Sequence, residues 1–204
     1  MECYVPWQYF GSSHPSTAAS FIADFTKTKT GCTDTNSIKA KIDDVISKFI
    51  RASYEDDPRD KERKEFLWVH IRISFPNARF DVPRWHQDGP YMKLDLGTEH
   101  EVRNKYCLTI LGPGTMFKEQ TSELEQYVAT ASFRGERSQV ANEMEKFKSY
   151  NSSAGEVVRC TWKRTNDDYA SNVHSEPPHD EQRIFLAAVF MSEEEREELL
   201  AGRK

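Results

Sequence analysis

The pattern of apolar and polar positions divides the chain into a helical first part and a strand-rich second part. Apolar residues return every three or four positions over 16–26 and 36–52, which predicts two amphipathic helices. A run of charged residues, 54–65, follows and is typical of a solvated connection. The first third of the chain is therefore expected to be mainly helical.

From residue 66 the period changes to two. In 66–75 an apolar face alternates with a mixed aromatic and polar face, which predicts a strand with one buried side. Further strands are predicted at 79–82, 84–88, 104–111, 156–163 and 183–190. Helices are predicted between them at 119–133 and 136–149, and at the C-terminus behind a capping box of Ser192 and Glu195.

This order of elements predicts an α+β protein with a mostly β core. An antiparallel sandwich or barrel with the helices packed outside fits the many short strands. We interpret 1–204 as a single domain. Within it, 1–65 is an N-terminal helical buttress, 66–191 is the core, and 192–204 is a C-terminal helix.

Composition and charge limit the possible classes of protein. Aromatic residues make up 12% of the chain, which excludes a disordered protein. The net charge of −5 argues against a nucleic-acid partner, because a protein that binds nucleic acid needs a basic surface. The sequence shows no membrane-spanning run, no secretion signal and no C-x-x-C pair. These features predict a soluble cytoplasmic protein with reduced thiols and no membrane partner.

The segment VPRWHQDGPYM, residues 82–92, carries the most informative chemistry. His86 and Asp88 are two positions apart, so a strand would place both side chains on one face. His174, before the apolar strand that Arg183 opens, can supply a third ligand. Two histidines and one carboxylate are typical of non-haem Fe(II) sites that also bind O₂ and an organic co-substrate. Zinc hydrolysis is less favoured, because the sequence offers no obvious general base.

These motifs resemble the Fe(II)/2-oxoglutarate-dependent dioxygenases, in which H-x-D, a distal His and a later Arg or Lys follow in this order. The GEVV run, 155–158, resembles the family's entry to the strand before the distal His. The resemblance covers about 66–191 and implies a double-stranded β-helix (jelly-roll) fold for this catalytic core.

The resemblance also implies roles for individual residues. His86, Asp88 and His174 would bind Fe(II), and Arg183 would pair with the distal carboxylate of 2-oxoglutarate. His179 competes with His174 for the third position. It lies four residues before Arg183, which leaves too little chain for the usual connecting loop, so we favour His174.

The hydroxyl group that shares this carboxylate is left open between Tyr106 and Thr109. These residues face opposite ways on a regular strand, so at most one of them serves. Arg72 and Trp68, on the mixed face of strand 66–75, are candidates for contacting the substrate, with surface or core roles as the alternatives.

The reaction implied is oxidation, by default hydroxylation, of a C–H bond in a small molecule or a protein side chain. 2-Oxoglutarate would be released as succinate and CO₂. Two alternatives remain open: a non-catalytic jelly-roll binding module, and a cupin-like metalloenzyme that does not use 2-oxoglutarate. The sequence does not indicate the oligomeric state.

Overall fold

The computed structural model describes residues 4–30, 35–57, 65–88, 103–130, 136–162, 172–178 and 180–201. The strands are β1 (Tyr4–Ser12), β2 (Phe66–Ser74), β3 (Arg103–Leu111), β4 (Met116–Lys118), β5 (Ser149–Asn151), β6 (Val157–Trp162), β7 (His174–Ser175) and β8 (Arg183–Met191). The α-helices are α1 (Pro15–Thr30), α2 (Thr35–Asp56), α3 (Ser122–Thr130), α4 (Arg137–Met144) and α5 (Glu193–Ala201).

The strands form two sheets. The larger has the order β1-β2-β8-β3-β6, and the smaller has the order β5-β4-β7. β3 pairs antiparallel with β6, and β4 pairs antiparallel with both of its neighbours. The structure is thus a mixture of helices and antiparallel sheet, in agreement with the predicted α+β class. Closure into a jelly-roll barrel stays a prediction.

The chain divides into two compact units, whose boundaries fall within β1, β2 and β8. The first unit contains Arg72–Leu186 with a short N-terminal segment, and the second contains Pro6–Ile71 with the residues from Ala187 onward. In the second unit α1 packs against α2. Aromatic rings contribute to its packing, with Trp7 stacked on Phe25 at 5.3 Å between ring centroids.

The first unit has an apolar cluster around Trp85. α3 contributes Leu124 to this cluster, and α4 contributes Val140 and Met144. Phe147 and Val173 complete the buried set. The helices inserted between strands therefore anchor the segment next to His86 by burying large apolar side chains.

The segment 79–88 does not form the two strands that the sequence predicts. Ala78–Phe80 form one turn of 3-10 helix, because the Asn77 side chain accepts a hydrogen bond from the Arg79 amide at 2.9 Å. The prediction of a strand at 79–82 is wrong. The strand predicted at 84–88 is reduced to an isolated β-bridge at His86.

The inserted helices do not keep their predicted bounds, and four strands within the described ranges were not predicted. α3 begins at Ser122, and the helix predicted to extend to residue 149 ends at Met144. β1, β4, β5 and β7 have no counterpart in the sequence interpretation. Three of these have only two or three residues, too few for a period of two to be recognised.

The C-terminal capping box is confirmed. The Glu195 carboxylate accepts a hydrogen bond from the Ser192 amide at 2.6 Å, and the Ser192 hydroxyl accepts one from the Glu195 amide at 3.3 Å. The predicted strands at 66–75 and 183–190 match β2 and β8 closely. Among the helices of the described ranges, none combines the length and apolar character needed to cross a membrane.

Candidate metal centre

Two histidines far apart in sequence meet through a β-bridge. The His86 amide donates to the His174 carbonyl at 3.0 Å, and the His174 amide donates to the His86 carbonyl at 2.9 Å. Residues paired in this way have their side chains on the same face. Their ring centroids are accordingly 4.4 Å apart.

Asp88 completes a group of three possible ligands. One ligand atom each from His86, Asp88 and His174 lies within 4.8 Å of the other two. The Asp88 Oδ2 atom is 3.6 Å from His174 Nε2. We call these three residues the triad. They lie close enough for one metal ion to contact all three.

Both imidazoles are oriented by backbone carbonyl groups. His86 Nδ1 lies 2.8 Å from the Arg84 carbonyl oxygen, and His174 Nδ1 lies 2.9 Å from that of Asn172. A carbonyl oxygen only accepts, so each Nδ1 carries the proton. The Nε2 atoms of the neutral rings then present lone pairs, the form in which histidine binds metals.

The surroundings keep both rings neutral. Burial lowers the pKa of His86 to about 3, since protonation would also be opposed by the neighbouring His174 ring and the Arg84 guanidinium. Burial, with the positive charge of Lys105, also lowers the pKa of His174. Neither ring therefore needs to lose a proton before it binds a metal near neutral pH.

A lysine also contacts the triad. Lys105 of β3 donates a hydrogen bond from its ammonium group to Asp88 Oδ2. Its side chain is 13% exposed and that of Asp88 is 2% exposed. Burial opposes the charge of Lys105, but Cys107 and Asp88 outweigh that effect and raise its pKa. The ammonium thus stays charged beside the carboxylate.

Arg183 is engaged in a second charged group. Its guanidinium donates to the Pro113 carbonyl oxygen at 2.9 Å, to the Thr115 hydroxyl at 2.9 Å and to the Thr109 hydroxyl at 3.3 Å. It also donates to Glu176 Oε1 at 3.4 Å. We call Arg183, Thr109, Thr115 and Glu176 the arginine cluster. Burial lowers the pKa of Arg183 to about 10, so the side chain remains charged.

The turn after β3 positions two of these partners. Gly112 has φ of 81°, a left-handed value that glycine adopts without strain. A Cβ on Gly114 would lie 1.7 Å from the Ser152 carbonyl oxygen, so this position also requires glycine. The turn at 112–115 therefore brings Pro113 and Thr115 against the Arg183 guanidinium.

Glu176 has further partners that explain its place in the arginine cluster. Ser74 donates a hydrogen bond from its hydroxyl to Glu176 Oε1 at 2.7 Å. Arg72 Nη2 lies 3.3 Å from Glu176 Oε2. The carboxylate is thus held between two guanidinium groups and one hydroxyl group.

The remaining predicted residues have different positions. Thr109 contacts Arg183, whereas alternation along β3 places the buried Tyr106 on the other face of the strand. Trp68 belongs to the second unit and stacks on Phe10 at 5.5 Å between ring centroids. His179, the rival third ligand, lies outside the described residues.

The sequence interpretation missed Lys105 and Glu176. One signal for each was present: Lys105 shares a face of β3 with Thr109, and Glu176 follows His174 at a spacing of two. The sequence interpretation also did not pair Cys107 with Cys160. These buried residues lie on the neighbouring strands β3 and β6, with their Sγ atoms 3.9 Å apart.

Comparison with known proteins gives distant likenesses only. No protein-family model matches the chain, and no curated protein matches it. The dioxygenase for auxin oxidation 1 from Arabidopsis thaliana, solved with 2-oxoglutarate, is 10% identical with a TM-score of 0.42. The matched region covers 93% of this chain and 63% of the auxin dioxygenase chain. A prolyl-4-hydroxylase from Pseudomonas putida is 10% identical with a TM-score of 0.37, covering 91% and 92%.

A third solved structure, Fe(II)-HppE with an alternative substrate, is 8% identical with a TM-score of 0.31. It covers 61% of this chain, which spans 42% of the length of HppE.

Proposed function

We propose that the chain is an Fe(II)- and 2-oxoglutarate-dependent oxygenase that hydroxylates a C–H bond of a small molecule or a protein side chain. The observation that supports this most directly is the triad, with its ligand atoms within 4.8 Å of one another. Two neutral imidazoles and one carboxylate form the donor set typical of non-haem Fe(II) sites with open positions.

In this proposal His86, Asp88 and His174 hold the metal. Bound Fe(II) would supply the oxidation of a substrate C–H bond by O₂, with 2-oxoglutarate converted to succinate and CO₂. The protein contributes the orientation of its ligands. The Arg84 and Asn172 carbonyl groups fix the two rings, and burial of Asp88 keeps water from its carboxylate.

Arg183 and Thr109 are the proposed contacts of the distal carboxylate of 2-oxoglutarate. A guanidinium group matches a carboxylate with two parallel hydrogen bonds. The Glu176 carboxylate already contacts Arg183 from inside the chain. The co-substrate would therefore replace Glu176 at this guanidinium or bind beside it.

Arg72 and Trp68 remain candidates for contacting the substrate. Arg72 contacts Glu176 and lies over the Phe185 ring at 5.5 Å. Its guanidinium would suit a substrate with an anionic group. For Trp68 the proposal rests on its position on the mixed face of β2.

The test is release of succinate from 2-oxoglutarate under air, with and without added Fe(II). We expect turnover that requires the metal and that falls to background in His86→Ala and His174→Ala. His14→Ala, which changes an exposed histidine in the second unit, should keep the wild-type rate. The proposal is wrong if the wild type binds no Fe(II), or if the triad variants turn over as fast as it does.

The contacts of Lys105 and Arg183 favour a second candidate, a jelly-roll that does not use 2-oxoglutarate. Lys105 neutralises Asp88 without a metal, and Arg183 already has four acceptors. A ligand that binds the folded state raises the melting temperature. If 2-oxoglutarate raises it with Mn(II) present but not without the metal, the oxygenase is supported. If Mn(II) raises it and 2-oxoglutarate adds no further rise, a cupin-like site is supported.

A further inference from the structure

The ammonium group of Lys105 lies at the oxygen of Asp88 that faces the triad. Lys105 contacts Oδ2, and Oδ2 is also the atom 3.6 Å from His174 Nε2. In the β3–β6 ladder Lys105 is opposite Cys160, so the strand directs this side chain inward. The site therefore already contains one positive charge when no metal is bound.

A metal ion and this ammonium would compete for the same carboxylate oxygen, Asp88 Oδ2. Coordination by a carboxylate brings the oxygen to about 2.0–2.2 Å from a divalent ion. At that distance the ion would repel a lysine ammonium bonded to the same oxygen. Removal of either the Lys105 ammonium or the Asp88 carboxylate would leave the other as a buried charge without its partner in this ion pair.

We propose that Lys105 is a competitor of the metal: its ammonium holds Asp88 in the metal-free protein, and metal binding must displace it. This inference rests on the metal site of the proposed function. Lys105 then sets how tightly the triad binds a divalent cation, as a positioning residue that acts through Asp88. It also preserves the triad before the metal arrives, since the ion pair fixes the Asp88 side chain.

The test is the dissociation constant for Mn(II), measured by calorimetry on protein stripped of metal. Lys105→Met removes the ammonium and keeps the length of the side chain, and Lys105→Gln keeps a neutral donor. Both should bind Mn(II) about tenfold more tightly than the wild type, or more. Lys105→Arg, which keeps the charge, should not bind more tightly.

A matched control removes a positive charge elsewhere in the same unit. Lys148 is 79% exposed and contacts Glu119 at 2.9 Å. Lys148→Met should bind Mn(II) like the wild type, which excludes an effect of net charge alone. His174→Ala combined with Lys105→Met should lose the binding, which shows that the tighter site is the triad.

The outcomes separate this inference from the proposed function. If wild type and Lys105→Met bind Mn(II) equally tightly, the competition is disproved while the metal site stands. If Lys105→Met binds the metal and the wild type does not, the competition is supported and the oxygenase proposal fails for the natural chain. If no variant binds a metal, both are wrong.

Discussion

The triad, through its partner Lys105, and the arginine cluster, through Thr109, both involve a residue on the same face of β3. The two sites differ in whether their hydrogen-bond donors match their acceptors. Lys105 contacts the triad and Thr109 belongs to the arginine cluster, four residues further along the strand. At the usual rise per residue this separates them by about 13 Å. The arginine cluster combines the donors of one guanidinium group with four acceptors. The triad instead brings three acceptors together.

The donors and acceptors of the arginine cluster therefore satisfy one another, whereas the triad is suited to bind a cation. Donors and acceptors that match stabilise a fold without any ligand. Acceptors that face one another repel unless a cation lies between them, and Lys105 supplies only one positive charge at one oxygen. In the protein without co-substrate, the arginine cluster is therefore expected to contribute mainly to stability, and the triad to bind the metal.

Removal of the arginine should produce the largest loss of stability. Arg183→Met leaves the Glu176 carboxylate, with a side chain 10% exposed, without the more deeply buried of its two guanidinium partners. We expect the free energy of unfolding to fall by about 3–5 kcal/mol in urea denaturation. Arg51→Met, at an exposed position on α2, should change it by less than about 0.5 kcal/mol. A loss below about 1 kcal/mol at Arg183 would contradict the structural role of the cluster.

The triad should show a smaller and pairwise effect. Asp88→Asn leaves the Lys105 ammonium without its carboxylate, and Lys105→Met leaves the carboxylate without its ammonium. In metal-free protein with chelator, a double-mutant cycle of the two should give a coupling of about 1–3 kcal/mol. The exposed pair Asp44 and Lys48, 2.7 Å apart, is the control and should give about 0.3–0.5 kcal/mol. Equal coupling in both pairs would show that Lys105 is solvated rather than held by Asp88.

The sequence predicts the elements whose signals are local. β2 shows alternation over nine residues, and the cap of α5 needs only Ser192 and Glu195. β1 was missed because aromatic residues stand at neighbouring positions, as in Tyr9 and Phe10, and hide the period of two. β4 and β7 form because each pairs with a distant segment, which no local pattern reveals.

The same reason explains what could be predicted of the site. The spacing of His86 and Asp88 indicated a ligand pair, although the backbone there is a single bridge rather than a strand. That bridge exists through His174, which a sequence pattern cannot pair with residue 86. The contact between Lys105 and Asp88 depends likewise on how β3 lies beside the bridge.

The acidity of the medium should affect the triad through its histidines. The pKa of His86 is lowered to about 3 in the folded protein, so only the unfolded chain gains a proton as the pH falls below about 6.5. Stability of the metal-free protein is thus lost on acidification. Between pH 7.5 and 5.5, the wild type should lose about 1.4 kcal/mol more than His86→Gln. Parallel pH profiles for the two proteins would show that His86 is solvated and titrates normally.

The smallest effect should come from one hydroxyl group at the edge of the arginine cluster. Ser74, fully buried, donates to Glu176 at 2.7 Å, and Ser74→Ala removes this donor. Arg72 and Arg183 still neutralise the carboxylate, so we expect a loss of about 1 kcal/mol in urea denaturation. Ser20→Ala, which removes an exposed hydrogen bond within α1, should change the stability by less than about 0.5 kcal/mol. A loss at Ser74 as large as that at Arg183 would mean that the hydroxyl group, rather than the two guanidinium groups, holds Glu176 in place.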